Sequence, residues 1–133
     1  MDHEQRCAAL YQSGTQAGPI PDGLLVIGET SCTLCKNSMR NNGYAMQLAD
    51  GRAVTWLNIA DEAALNRFYA TPGIAYDYEK EYPTAAGQRI GGTPIYLWVQ
   101  DGRVTLAPLG GGEQPEGGLE QLAKTAAEKL AAL

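Results

Sequence analysis

The chain reads Gly23-Leu24-Leu25-Val26-Ile27-Gly28 and then, after three further residues, Cys32-Thr33-Leu34-Cys35. The first part is short and continuously apolar, the pattern of a strand that is covered on both faces of a sheet. The residues after Cys35 can begin a helix. The stretch therefore predicts a central β-strand followed by a helix, with Cys32 and Cys35 at the junction between them.

The composition favours a single globular domain over residues 1–133. A chain of 133 residues can bury a core without disulfide staples, and its 44% hydrophobic and 19% charged residues distinguish it from a disordered segment. The net charge of −5 and the scattered basic residues argue against a nucleic-acid backbone or an anionic membrane surface as the main partner. We therefore expect no nucleic-acid partner.

The sequence shows no sign of membrane insertion or of export. No apolar run approaches the roughly 20 residues of a membrane span. The opening residues Met1 to Arg6 lack the apolar stretch of a signal peptide. As written, the chain is expected in the cytoplasm, and a periplasmic location is the alternative if a leader was removed.

Residues 1–22 are predicted to form an N-terminal helix and a connector. Between Asp2 and Ser13, the residues Cys7, Leu10 and Tyr11 recur at helical spacing. The glycine and proline residues that follow indicate turns. We expect this helix to pack on the sheet.

A strand and a helix are predicted in the middle of the chain. Residues Ala53 to Ile59 are rich in strand-forming types. Asp61 can cap a helix that buries Leu65, Phe68 and Tyr69 and ends before a Thr-Pro-Gly triplet.

The segment after the second cysteine allows two interpretations. In the first, the helix continues with a kink near Gly43 and includes Met46 and Leu48 on its apolar face. In the second, the helix ends there and residues 44–49 pair with the next strand through the turn-forming dipeptide Asp50-Gly51. We prefer the first interpretation, a helix that is interrupted or kinked near Asn41-Asn42-Gly43 and continues beyond it.

The last third of the chain predicts a ββα unit. A strand over Ile95 to Val99 leads into Gln100-Asp101-Gly102-Arg103, which has the chemistry of a hairpin turn, and then into a second strand, Val104 to Leu106. Gly110-Gly111-Gly112 is expected to break the chain. Apolar residues then recur at helical spacing from Pro115 to Leu133, which predicts an amphipathic terminal helix.

Residues 71–92 form an insert ahead of the ββα unit. Within the insert, Tyr76, Tyr78 and Tyr82 are interleaved with charged residues. One interpretation is a surface that contacts a client protein, because tyrosine is common at interfaces. The interpretation we favour is a helix that packs its aromatic side on the sheet.

The two cysteines have different expected roles. A helix N-terminus presents unpaired N–H groups and the positive end of the helix dipole, and a thiol there loses its proton more readily. Cys32 would therefore be the attacking thiolate, whereas Cys35, one turn inside, would be shielded and would displace a client from a mixed disulfide. A CxxC between a strand and a helix favours redox chemistry, while an isolated CxxC is often half of a zinc site.

Beyond the cysteines, the sequence resembles the thioredoxin-like superfamily. The resemblance includes Leu57-Asn58-Ile59-Ala60-Asp61 and the stretch Ile90 to Leu97, followed by Asp101-Gly102-Arg103-Val104 and a terminal helix. The Gly-Thr-Pro triplet is similar to that of the bacterial disulfide isomerase and oxidase group. The resemblance implies an α/β three-layer sandwich, with a central mixed sheet of four to five strands flanked by helices.

The resemblance also implies how a site would be built. Pro94 would follow a cis peptide bond and lie against the CxxC, and Thr93 would offer backbone groups to an extended substrate beside Cys32. The implied activity is thiol-disulfide exchange with a protein client and a redox partner protein. The protein would be a monomer or weak dimer with no cofactor other than its disulfide, and the direction of electron flow stays open.

The sequence departs from the thioredoxin pattern in three features, which involve four residues. Ser31 stands where thioredoxins place a tryptophan, Thr33-Leu34 stands in place of the Gly-Pro or Pro-His dipeptide of well-known members, and Val26 stands where thioredoxins bury an acid that assists proton transfer. Glu29 is the nearest substitute acid, although a solvated carboxylate is the plainer interpretation. Ser31 or Thr30 could cap the helix and hydrogen-bond the attacking sulfur, so Glu29 and Ser31 are candidate helpers.

Two alternatives stay open. A zinc site would need two ligands beyond the CxxC, and His3 and Cys7 share one face of the predicted first helix. A thioredoxin-like binding or scaffold component of a secretion or conjugation apparatus would keep the shape with little redox turnover. The CxxC together with Thr93-Pro94 favours the redox interpretation.

Overall fold

The structure is a computed structural model that describes residues 1–73 and 92–133. Tyr76, Tyr78 and Tyr82 lie outside the described residues, and so do the two interpretations given for them. Within the described part, the elements follow in this order: α1 (His3–Ser13), β1 (Gly23–Gly28), α2 (Thr33–Asn41), β2 (Ala53–Asn58), α3 (Glu62–Tyr69), β3 (Ile95–Gln100), β4 (Arg103–Gly111) and α4 (Gly118–Ala131).

The described strands form one mixed sheet in the order β2-β1-β3-β4. Strand β1 runs parallel to β2 and antiparallel to β3, and β4 is antiparallel to β3. Helices α1, α2 and α4 pack on one face of the sheet, and α3 packs on the other. This arrangement confirms the predicted α/β class and the mixed sheet flanked by helices.

Strand β1 lies inside the sheet because both of its faces are apolar. All six of its residues are buried. Leu24 and Val26 join the core beneath α1, α2 and α4, while Leu25 and Ile27 join the core beneath α3. This alternation follows from the two-residue period of a strand. The prediction of a central strand is confirmed, and β1 delivers the cysteine loop from the middle of the sheet.

Helix α2 ends at Asn41, so the preference for a helix that continues beyond Gly43 was wrong. Gly43 and Tyr44 have φ angles of 66° and 54°. These values lie in the left-handed region, which a right-handed helix does not contain. The chain therefore leaves the helix axis before Met46 and Leu48.

Where the helix was predicted to continue, the chain instead makes a turn through Asp50-Gly51. Leu48 N–H donates to the carbonyl oxygen of Arg52 at 2.7 Å, and Gln47 forms an antiparallel bridge with Ala53. The competing interpretation was therefore the better one, although the pairing is an isolated bridge.

Helix α3 begins where the sequence predicts but buries fewer residues. The Asp61 carboxylate accepts a hydrogen bond from Ala64 N–H at 3.0 Å, which confirms the predicted cap. Leu65 and Phe68 are buried, whereas Tyr69 is 39% exposed. The predicted burial of Tyr69 was wrong, because successive residues point about 100° apart around a helix and Tyr69 follows the buried Phe68 directly.

Strand β4 continues well past its predicted end. Gly110 pairs with Tyr96, and Gly111 pairs with Ile95. The expectation that the glycines break the chain was wrong for these two, because a strand ladder is made by backbone groups that glycine also has. Only Gly112, with a φ of 79°, turns away from extended geometry.

The terminal helix is shorter than the apolar pattern predicts. Helix α4 buries Leu119, Ala123 and Ala126 against the sheet, whereas Leu133 lies beyond the helix and is exposed. Within residues 1–73 and 92–133, no helix has the length and apolar character that crossing a membrane requires.

Candidate functional site

The two cysteines of the CxxC are joined as a disulfide at the start of α2. Cys32 is the N-cap residue of the helix, and Cys35 lies in its first turn. Cys32 is 8% exposed, whereas Cys35 is completely buried. One sulfur is therefore near the surface and the other is inside, which is the asymmetry expected from the sequence.

The sulfur of Cys32 itself caps α2. The backbone N–H of Cys35 donates to Cys32 Sγ at 3.0 Å, in the position that a Ser, Thr or Asp oxygen usually occupies. The expectation that Thr30 or Ser31 caps the helix was therefore wrong. An N–H group aimed at this sulfur from a helix N-terminus would stabilise a negative charge on Cys32 when the disulfide opens.

The start of β3 brings Thr93 and Pro94 beside Cys32. Ile95 pairs with Ile27 in the antiparallel ladder, so the residues that precede β3 reach the end of β1 where the cysteine loop begins. Cys32 Sγ lies 3.4 Å from the carbonyl oxygen of Thr93. The Thr93–Pro94 peptide bond is cis, as the resemblance implied.

The solvent-facing rim of the site is partly apolar. Leu34, between the two cysteines, is 47% exposed, and Thr33 and Gly92 are also exposed, whereas Thr93 and Pro94 are buried. A molecule that reaches the Cys32 sulfur would therefore meet the Leu34 side chain.

The candidate helpers Glu29 and Ser31 lie next to each other in the loop between β1 and α2. The Ser31 hydroxyl donates a hydrogen bond to the Glu29 carboxylate. Ser31 is exposed, and Glu29 is partly buried. The backbone N–H of Cys32 donates to the carbonyl oxygen of Glu29 at 3.0 Å, and the part of the Glu29 and Ser31 side chains in proton transfer stays a prediction.

Tyr11 belongs to the site although sequence reasoning placed it only on the core face of α1. Its hydroxyl donates to the carbonyl oxygen of Glu29 at 3.2 Å. A Cβ atom at Gly28 would lie 2.6 Å from the Tyr11 hydroxyl oxygen and 3.3 Å from Cys35 Sγ. No spacing in the sequence signals this contact, because it depends on how α1 packs against the end of β1.

Helix α2 is anchored one turn beyond the buried cysteine. Ser38 Oγ accepts from Gln114 N–H at 2.8 Å and lies 2.9 Å from the hydroxyl of Tyr96. Burial raises the pKa of Tyr96 to about 12, so its hydroxyl keeps its proton at neutral pH. These bonds hold α2 to β3 and to the segment after β4, and so fix where the cysteines stand.

The zinc alternative rests on His3 and Cys7, which do lie together on α1. Cys7 Sγ is 3.8 Å from His3 Nδ1, and that nitrogen is 2.7 Å from the hydroxyl of Tyr44. Burial raises the pKa of the Cys7 thiol, which disfavours the thiolate that a metal binds. In the described part of the chain, no three His, Cys, Asp or Glu side chains cluster as a metal site would require.

Comparisons with protein-family models, with curated proteins and with solved structures find no match to this chain. The chemistry of the site must therefore be read from its own geometry. A disulfide with one sulfur near the surface and one buried can be attacked only at the outer sulfur, and the inner sulfur is then the leaving group.

Proposed function

We propose that this protein is a thiol-disulfide oxidoreductase with a thioredoxin-like arrangement. One observation carries the proposal. The Cys32–Cys35 disulfide lies at the N-terminus of α2, and its outer sulfur lies against the backbone of Thr93, immediately before the cis Thr93–Pro94 bond. These four residues come from two distant parts of the sequence and meet at one point.

The proposed exchange moves two electrons in two steps. A client thiolate attacks Cys32 Sγ, the bond between Cys32 and Cys35 breaks, and its electron pair goes to Cys35 Sγ. A second client thiolate then attacks the client sulfur of the mixed disulfide, so that the client leaves oxidised and the Cys32 sulfur leaves as a thiolate. The reverse sequence reduces a client disulfide, with Cys32 as the attacking thiolate and Cys35 as the group that releases the client.

The geometry of the rim supports a protein as the client. An extended backbone beside Thr93 and Pro94 would place a client cysteine near Cys32 Sγ. The exposed Leu34 side chain offers an apolar contact at the same place. A second redox protein would restore the starting state, and the exchange needs no cofactor other than the disulfide.

Two cysteine variants and one control test the proposed function. Cys32→Ser should abolish both the reduction of insulin by dithiothreitol-fed protein and the reoxidation of reduced ribonuclease. Cys35→Ser should accumulate mixed disulfides, because the group that releases the client is missing. Cys7→Ala should keep the activity of the natural protein, since Cys7 is buried on α1 outside the disulfide.

The assays also separate the proposed function from its alternatives. If the natural protein is inactive in both directions and its disulfide resists cycling, the binding or scaffold role replaces the redox role. One equivalent of zinc in elemental analysis of the reduced protein would instead favour the metal-binding alternative.

A further inference from the structure

Gly28, the last residue of β1, lies beside two groups that are far apart in the sequence, the Tyr11 hydroxyl and the Cys35 sulfur. A Cβ atom on Gly28 would lie 2.6 Å from the Tyr11 hydroxyl oxygen and 3.3 Å from Cys35 Sγ. The hydroxyl oxygen and the sulfur can therefore be no further apart than the sum of these two distances. Because glycine has no side chain, no side-chain atom of residue 28 stands between them.

The hydroxyl of Tyr11 and the sulfur of Cys35 share a buried environment. Tyr11 is 4% exposed, and Cys35 is fully buried. The titratable groups that face Tyr11 are Cys7 on its own helix, Glu29 after β1 and Tyr96 on β3, in addition to Cys35 on α2. Burial raises the pKa of Tyr11, so the phenol remains a hydrogen-bond donor over the pH range in which thiols ionise.

An open cleft connects Tyr11 with solvent. The cleft has a volume of about 160 Å³, and its walls include Tyr11, Thr30, Asn58 and Asp61. Its polar side chains would hold water. Tyr11 thus lines this polar cleft and also comes close to Gly28, beside which the Cys35 sulfur lies.

We propose that Tyr11 is a positioning residue that donates its hydroxyl hydrogen bond to the Cys35 sulfur when the disulfide opens. This inference deepens the proposed function and rests on it, since it requires the bond between Cys32 and Cys35 to break. In the disulfide form, the hydroxyl donates to the carbonyl oxygen of Glu29 at 3.2 Å. A thiolate at Cys35 is charged and is therefore a stronger acceptor for the Tyr11 hydroxyl than this neutral carbonyl oxygen.

The exchange places a negative charge on the leaving sulfur, which a hydrogen-bond donor would stabilise. When a client thiolate attacks Cys32 Sγ, the electron pair of the broken bond arrives on Cys35 Sγ as a negative charge. Val26 is an apolar, fully buried residue of β1 and cannot hydrogen-bond a thiolate. The Tyr11 hydroxyl keeps its own proton and stabilises the leaving sulfur by a hydrogen bond.

The test compares Tyr11→Phe with a matched control, Tyr44→Phe. Both substitutions remove one phenol hydroxyl, but the Tyr44 hydroxyl bonds to His3 Nδ1, away from the disulfide. In reduced protein labelled with ¹³C at cysteine Cβ, Tyr11→Phe should raise the midpoint of the Cys35 titration by about one pH unit, as expected for a hydrogen bond to a charged group. Tyr44→Phe should leave that midpoint unchanged.

The equilibrium with glutathione supplies a second readout. The hydrogen bond stabilises the reduced protein only where Cys35 is a thiolate. At a pH where both thiols are protonated, the natural protein and Tyr11→Phe should therefore have nearly the same equilibrium constant for reduction by glutathione. At alkaline pH, the constant of the natural protein should be about tenfold higher. A purely structural tyrosine would change the melting temperature without changing this pH dependence.

A measurement on the unmodified protein covers the case in which Tyr11→Phe does not fold. With ¹³C at tyrosine Cζ, the Tyr11 resonance should shift at the same pH midpoint as Cys35. The proposal is overturned if the Tyr11 resonance does not shift at the pH midpoint of Cys35. It is also overturned if Cys35 has the same titration midpoint in folded Tyr11→Phe as in the natural protein. If these effects appear while the insulin and ribonuclease assays show no activity, the role of Tyr11 stands and the proposed function fails.

Discussion

Cys32 Sγ lies 3.4 Å from the carbonyl oxygen of Thr93, although the two residues are 61 positions apart in the chain. The contact exists because β1 and β3 are neighbouring antiparallel strands, and the end of one meets the start of the other. The dithiol form would convert this contact into a hydrogen bond from the Cys32 S–H group. The pairing of β1 with β3 thus assembles the site from which the redox proposal follows.

The unequal burial of the three cysteines predicts unequal reactivity in the reduced protein. Cys32 is 8% exposed, whereas Cys35 is 0% and Cys7 is 2% exposed. Iodoacetamide should therefore modify Cys32 roughly tenfold faster than either of the others, because alkylation requires an accessible thiolate. Mass mapping of the modified peptides over time measures the three rates.

The control for this alkylation experiment is the same protein unfolded in urea, where the three rates should converge. Preferential modification of Cys35 or Cys7 in the folded protein would contradict the assignment of Cys32 as the outer sulfur.

Gly28 and Gly92 form a matched pair of glycines with opposite expected tolerance. A methyl group at Gly28 would lie 2.6 Å from the Tyr11 hydroxyl, whereas a methyl group at Gly92 would meet no atom of residues 1–73 or 92–133 within 4 Å. Gly28→Ala should lower the free energy of unfolding by about 1–3 kcal/mol, the usual cost of overpacking a buried site. Gly92→Ala should change it by less than about 0.5 kcal/mol.

Urea denaturation of the oxidised proteins measures both glycine variants. Equal stabilities for Gly28→Ala and Gly92→Ala would contradict the close approach of Tyr11 and Cys35 to Gly28.

The buried tyrosine of β3 predicts a loss of stability at alkaline pH. Burial raises the pKa of Tyr96 to about 12, above its unfolded value of about 10. The folded state therefore holds the Tyr96 proton where the unfolded state has lost it, and the free energy of unfolding falls as the pH rises from about 10 toward 12. Each such proton contributes a slope of about 1.4 kcal/mol per pH unit.

The variant Tyr96→Phe should show a shallower alkaline slope than the natural protein, because one of the differentially bound protons is gone. The variant should also be less stable at neutral pH, because it lacks the Tyr96 hydroxyl that contacts Ser38 Oγ and the carbonyl oxygen of Gly112. Denaturant titrations between pH 8 and pH 11 give the slopes. Parallel slopes for the two proteins would contradict the assigned burial of this hydroxyl.

Local pattern was enough to predict the main elements of the fold. The continuous apolar run of β1 and the cap of α3 at Asp61 depend on residues close in sequence, and both predictions are confirmed. The segment after α2 was harder to predict. The apolar spacing of Met46 and Leu48 indicated a helix, but the left-handed φ angles of Gly43 and Tyr44 end the helix before these residues. Strand β4 is longer than predicted because Gly110 and Gly111, which have little tendency to form a strand by themselves, pair with β3.

By itself, the sequence determined that a strand runs into a CxxC, that the outer cysteine begins a helix and that the inner one is buried, since each of these depends on residues within a few positions. Only the tertiary structure decided that Thr93 lies against Cys32, which the family resemblance implied and no local pattern showed, and that the Tyr11 hydroxyl and the Cys35 sulfur both come close to Gly28. The physical reason is that these contacts arise from the pairing of β1 with β3 and from the packing of α1 against the end of β1. Neither leaves a periodic signal in the chain. The roles of the two cysteines could therefore be predicted from residues close in sequence, whereas the position of Thr93 was implied only by the family resemblance and that of the Tyr11 hydroxyl was not predicted.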